Sequence, residues 1–171
     1  MAQGMAQARL MQERKAWRKD HPHGWLAKPK KQADGTENLL VWECMITGPE
    51  KTPWEGGAFP VTLKFSADYP ARSPECAFPA GFFHPNVYPS GKICLSIINP
   101  PENKGTWKPS ITVKQILCGI QSLLNSPNNA DAAQQAAYDL YGRSKSEYEA
   151  KVRREVAKKW KPHLADVTNI S

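Results

Sequence analysis

The sequence predicts an α+β fold: an N-terminal helix, a four-stranded antiparallel meander, a long irregular segment built around a cysteine, and C-terminal helices. Three observations predict it. Residues 5–19, MAQARLMQERKAWRK, hold no Gly or Pro and are rich in helix formers. Four short strand-like runs follow, each separated by turn signals. The last third places apolar residues at helical spacing.

In the first helix Ala6, Leu10 and Trp17 lie near one face, with Glu13 and Arg14 beside it. HPHG (21–24) ends it, because Pro22 and Gly24 do not extend a helix. The strand-like runs are WLAKPKK, LLVWECMI, AFPVTLKF and ECAF. Phe59, Val61, Leu63 and Phe65 alternate as a half-buried strand requires. Short turns between the runs favour a meander over parallel strands with crossover helices.

Residues 82–109 are rich in Pro and Gly, and only CLSII (94–98) looks locally ordered. An irregular stretch of that length is usually functional or disordered. Trp107, His84 and CLSII favour packed and functional. Beyond it, Val113, Ile116, Leu117, Ile120, Leu123 and Leu124 mark one face of a helix, with Ser110 or Thr112 able to cap it. Residues 132–142 and 144–160 read as two more helices, and Pro162 closes the last.

The 171 residues fit one domain, 1–171, with a core of about 5–160. A hydrophobic content of 40% and six tryptophans supply that core. No apolar run approaches the ~20 residues of a membrane span. The N-terminus lacks the apolar stretch of a secretory signal. A soluble intracellular protein is therefore expected.

Net charge is +7, distributed unevenly. Residues 1–31 hold eight basic and two acidic residues, and 143–163 hold eight and three, around a mildly acidic middle. Basic ends predict docking to an acidic partner, or simply solvated helix faces. No aromatic–basic platform or zinc pattern supports a nucleic-acid binder.

Cys44, Cys76, Cys94 and Cys118 are widely separated and form no C-x-x-C pair, which argues against zinc. Cys44, Cys76 and Cys118 read as buried fillers. Cys94 differs, because HPNVYPSG (84–91) fixes the backbone just before it.

Tyr69-Pro70, FFHPN (82–86), Gly91, Cys94-Leu95 and Trp107-x-Pro109 resemble the ubiquitin-conjugating enzyme family over about residues 5–160. ERKAWRKDHP (13–22), KTPWEGG (51–57), HPNVYPSG, CLSI (94–97) and ITVKQIL (111–117) are most similar to its SUMO-conjugating branch. The resemblance implies the ubiquitin-conjugating-enzyme fold. It implies a SUMO thioester on Cys94, accepted from the activating enzyme and passed to a substrate lysine as an isopeptide bond. A conjugating enzyme for ubiquitin or another modifier is the alternative; the basic first helix and YPSG argue against it. An inactive module of this fold would lack the cysteine.

The same resemblance implies roles for individual residues. Asn86 is the candidate stabiliser of the reaction's oxyanion, or a structural clamp of its loop. His84 is a packing residue. Tyr88 and Asp131 would hold and desolvate the incoming lysine, although Asp131 also suits a helix cap. Ser90, Lys92, Ala133 and Gln134 match the substrate groove. Arg14, Lys15, Arg18 and His21 match the surface that binds the activating enzyme and a second, non-covalent SUMO. Expected partners are SUMO, its activating enzyme, SUMO ligases and lysine-bearing substrates, with no nucleic acid required and no membrane. No cofactor is implied, since ATP is used by the activating enzyme. The expected location is nucleus and cytoplasm. The chain departs from the branch at Ala132, which replaces a Pro, and at Glu75 and Ala77, which replace lysines. Lys92 replaces a Thr, and the loop 98–106 is longer. Glu75 at that position would repel an acidic residue after the target lysine.

Overall fold

A computed structural model describes residues 2–162. Helix α1 (Ala2–Lys19) leads into a sheet of β1 (Leu26–Lys31), β2 (Glu37–Thr47), β3 (Ala58–Lys64) and β4 (Glu75–Ala77). The strands pair antiparallel in sequence order, as the short turns predict. Two 3-10 turns, Ser96–Ile98 and Pro101–Asn103, punctuate the irregular segment. Helices α2 (Val113–Asn125), α3 (Gln135–Arg143) and α4 (Lys145–Lys159) complete the described chain. The tail beyond Pro162 lies outside the described residues.

Local chemistry explains most boundaries. Thr112 caps α2 in a reciprocal capping box: its hydroxyl accepts from the Gln115 N–H, and the Gln115 side chain accepts from the Thr112 N–H. The Ser144 hydroxyl accepts from the Glu147 N–H and starts α4. Helix α3 begins later than its periodicity predicts. Asp131 lies four residues before its first turn and does not cap it; Gln134 holds the cap position without a side-chain bond.

The core lies between the inner face of the sheet and α1, α2 and α4. Trp42, Ile46, Phe59 and Leu63 meet Leu10, Ile116, Ile120 and Val152 there. Glu13 is buried among them because its carboxylate is fully used. Arg9 donates to it through Nε and Nη2, and the Val113 N–H donates at 3.3 Å. This fastens α1 to the first turn of α2. One cysteine expectation changes: Cys44 and Cys76 are buried, but Cys118 is only half-buried on the outward side of α2.

Candidate active site

Residues 91–94 lie alongside β4 like the start of a fifth strand. The Phe78 N–H donates to Gly91 O, and the Ile93 N–H to Cys76 O, both at 2.9 Å. Gly91 has φ +97°, and a Cβ there would stand 1.9 Å from Phe78 O, so only glycine fits. Ile93 points into the core and Cys94 points out, half-buried. The Cys94 N–H donates to Asn86 O at 2.9 Å, tying the thiol's backbone to the preceding loop. Burial pushes the Cys94 thiol up from its ordinary pKa, and the Asp131 carboxylate adds to that. A hydrogen bond from the Asn99 side chain and the charge of Lys92 pull the other way.

His84 is fully buried and its ring is committed to structure. Nδ1 accepts from the Asn86 N–H at 3.0 Å, which leaves the proton on Nε2. Nε2 donates to Leu123 O and Leu124 O at 2.8 and 3.2 Å. These are carbonyls of the last turn of α2, and Leu123 O also accepts from the Ser126 N–H at 3.2 Å. Burial lowers the His84 pKa to about 4. A Cys–His dyad is thus absent from this site, as the packing reading of His84 implies.

Asn86 is also fully buried, and its amide is saturated. Nδ2 donates to Asn128 O at 2.8 Å and to Asp131 O at 2.6 Å, while Oδ1 accepts from the Asn128 N–H at 2.7 Å. The side chain clamps the loop that carries Asp131. Gln134, expected in the substrate groove, turns inward instead. Its Nε2 donates to Phe82 O and Val87 O, and its N–H and that of Ala133 donate to Pro85 O. It braces the loop because its amide can satisfy two carbonyls that the irregular 82–87 backbone leaves unpaired.

The exposed face around the thiol carries Tyr88, 43% exposed, with Ser90, Lys92 and Asp131. The Ser90 hydroxyl accepts from the Lys92 N–H and shapes the YPSG turn. Sequence reasoning missed Asn99 and Asn128. Asn99 touches the thiol's proton balance, and the Asn128 Nδ2 donates to the Asp131 carboxylate at 3.3 Å. The turn chemistry of SPNN was the only available signal for Asn128. A groove of about 250 Å³ runs to Cys94 between Leu95, Ser96 and the α2 residues Gly119 and Ser122. Among the described residues, no group of three or more His, Cys, Asp or Glu could hold a metal ion.

The chain that carries this half-buried thiol and clamped HPN loop is matched in sequence by known proteins. The family model described as ubiquitin-conjugating enzyme matches residues 9–156. This chain belongs to the ubiquitin-conjugating enzyme family. It is 58% identical over 153 residues to the SUMO-conjugating enzyme SCE1 of Arabidopsis thaliana, covering 90% of this chain and 94% of that protein. It is 54% identical to the SUMO-conjugating enzyme UBC9 of Caenorhabditis elegans, over 91% of this chain and 92% of that one. The SUMO-conjugating enzyme ubc9 of Dictyostelium discoideum is 51% identical, over 88% of this chain and 92% of its own length.

The conjugating enzyme's α1 presents its basic residues away from the thiol. Met11, Arg14, Lys15 and Arg18 line a groove of about 730 Å³ with Glu37 and Leu39 of β2. Arg14 is not wholly free, since its Nη1 pairs with Glu37 at 2.6 Å. Lys15 and Arg18 are exposed. His21 stacks on Trp17 with ring centroids 5.1 Å apart, and its Nδ1 lies 3.0 Å from Pro22 O. The four residues expected to share a surface therefore differ. Arg14 is anchored, His21 is held against the helix end, and Lys15 and Arg18 are exposed to solvent.

Proposed function

We propose that this conjugating enzyme carries SUMO as a thioester on Cys94 and transfers it to substrate lysines. The observation that carries the reading is the accessible Cys94 beside the clamped loop, in a chain more than half identical to three SUMO-conjugating enzymes along nearly its whole length.

In the first step the Cys94 thiolate attacks the thioester carbonyl on the activating enzyme. The activating enzyme's thiolate leaves, and the acyl group now sits on Cys94. In the second step a neutral lysine amine attacks that carbonyl. A tetrahedral oxyanion forms, collapses to an isopeptide bond and expels the Cys94 thiolate. The amine's proton passes to solvent.

Asp131 acts in opposite senses in the two steps. Before charging, its carboxylate disfavours the Cys94 thiolate. After charging, the sulfur bears no charge, and the same carboxylate attracts and orients an incoming ammonium group. Tyr88 offers an apolar surface for the lysine stem. Asn86 positions Asp131 by holding its backbone carbonyl. Donation from Asn86 to the oxyanion would exchange one of those carbonyl bonds. Lys15 and Arg18 provide the exposed charge for docking the activating enzyme and a second SUMO, with Arg14 and His21 framing them. ATP is consumed by the activating enzyme, and no cofactor acts here.

The test is charging with ATP, SUMO and its activating enzyme, followed on non-reducing gels. An adduct that reductant removes and that Cys94→Ala lacks is the expected result. Charging by ubiquitin with its own activating enzyme, and not by SUMO, would overturn the choice of modifier.

A further inference from the structure

The short turn after Cys94 returns a second asparagine to the thiol. Residues 94–99 fold back through the 3-10 turn at Ser96–Ile98. The Ile98 and Asn99 N–H groups both donate to Leu95 O at 3.1 Å, and the Asn99 N–H also reaches Ser96 O at 3.2 Å. Ile98 is buried, and its carbonyl accepts from the Ser73 hydroxyl, which pins the end of the turn. Asn99 follows in an extended conformation, at φ −84° and ψ 141°. With Lys92 and Ile93, the two residues before the cysteine, it lines a surface groove of about 250 Å³. Its side-chain amide donates to the Cys94 sulfur. The far end of the loop fixes this placement. The Trp107 N–H donates to Asn99 O at 3.2 Å and the Thr106 N–H to Ser96 O at 2.8 Å. A Cβ at Gly105 would clash with Asn99 O, so only glycine lets the backbone pass there.

The two asparagines beside the thiol are used differently. Both N–H groups of the Asn86 amide are spent on Asn128 O and Asp131 O. The Asn99 amide, among the described residues, has the sulfur as its partner. Two charges also face that sulfur: Asp131 from the 128–131 loop, and Lys92 from the strand-like segment before it. They act in opposite senses. The α2 side of the thiol presents Gly119, Ser122 and Ser126, none of which titrates. Asn99 is thus the directional donor at the reacting atom.

We propose that Asn99 is a catalytic residue whose amide N–H holds the Cys94 sulfur whenever that atom bears negative charge. This deepens the thioester-carrier reading and rests on it. In charging, the amide stabilises the attacking thiolate. In lysine transfer, the C–S bond breaks as the isopeptide bond forms, and the electron pair leaves on sulfur. The same N–H stabilises that leaving thiolate, while the amine's proton goes to solvent. Between the two steps the neutral thioester sulfur is a weak acceptor. The bond therefore strengthens as charge develops, which is what lowers a barrier. A hydrogen bond to a charged group is worth about tenfold in the thiol equilibrium, or about one pH unit, at this half-buried position.

The experiment compares the full chain with Asn99→Ala and Asn99→Asp. Ultraviolet thiolate absorbance, taken as the difference from the same protein carrying Cys94→Ala, gives the titration midpoint of Cys94 with no modifier present. Asn99→Ala is expected to raise that midpoint by about one pH unit. Truncation also admits water to the thiol, which alone would lower the midpoint, so a rise reports the lost donor. Asn99→Asp raises it further, because an isosteric carboxylate removes the donor and adds a like charge. In single turnover at neutral pH, charging and lysine transfer by Asn99→Ala each fall about three- to tenfold. Greater intrinsic nucleophilicity offsets part of the lost thiolate in the first step, and a poorer leaving group slows the second. Absence of charging in wild type would sink the proposed function, while the thiol midpoint still decides the Asn99 bond. A midpoint in Asn99→Ala at or below wild type, or charging and transfer both at wild-type rates, overturns the inference.

Discussion

Replacing Asn86 with Ala separates a clamp from an oxyanion donor. The substitution removes three hydrogen bonds of 2.6 to 2.8 Å, all between this side chain and the 128–131 loop. At a net ~1 kcal/mol each, Asn86→Ala loses about 3 kcal/mol of stability. For a chain of this size that lowers the melting temperature by about 6–12 °C. The freed loop carries Asp131, so lysine transfer falls as well. Charging should survive better, because the bond to the Cys94 N–H comes from the Asn86 backbone and not its side chain. Urea unfolding followed by tryptophan fluorescence gives the stability. Single-turnover discharge to lysine and thioester formation give the two rates. An unfolding midpoint equal to wild type, with transfer reduced ~100-fold or more, would refute the clamp argument. That result would assign the amide to the oxyanion.

Two further perturbations test other parts of the same framework. His84 has a folded pKa of about 4 against an ordinary 6.5, so the unfolded chain binds the extra proton first. Its contribution is complete above pH 6.5 and is lost as pH falls toward 4, by about 3 kcal/mol in total. Urea unfolding at several pH values in that window should show this slope, and His84→Gln should lose about one proton's share of it. Glu13→Ala strands the Arg9 guanidinium and the Val113 N–H, which share the buried carboxylate. The expected loss is about 3 kcal/mol, the lower end for a broken buried pair, because Arg9 is partly exposed and keeps its bond to Ile111 O. A loss below ~1 kcal/mol in equilibrium unfolding would mean that the α1–α2 fastening is relaxed elsewhere.

Much of the architecture is legible along the chain. Alternation in AFPVTLKF and helical spacing from Val113 to Leu124 identify β3 and α2, and their side chains are buried as those periods require. The boundaries that shift have local causes. Helix α3 starts at Gln135 because Gln134, tied with Ala133 to Pro85 O, is held in an extended conformation at φ −136° and ψ 108°. Cys118 follows an apolar run, yet its side chain leaves α2 on the half-buried side. Turn chemistry in HPNVYPSG announces an imposed backbone before Cys94, and positive φ at Gly91 is its physical content.

Short-range pattern therefore decides which elements form and which cysteine stands apart, because helix and strand periods and turn preferences act over a few residues. The working arrangement of the site depends on groups far apart in the chain. Asn86 reaches a loop 42 to 45 residues away, and Glu13 meets a backbone N–H 100 residues away. Lys92 stands opposite Ala77 only through the bonds that lay residues 91–93 against β4. Periodicity carries no information on such pairings. They are decided when packing brings buried polar groups together and each must find a partner out of reach of water.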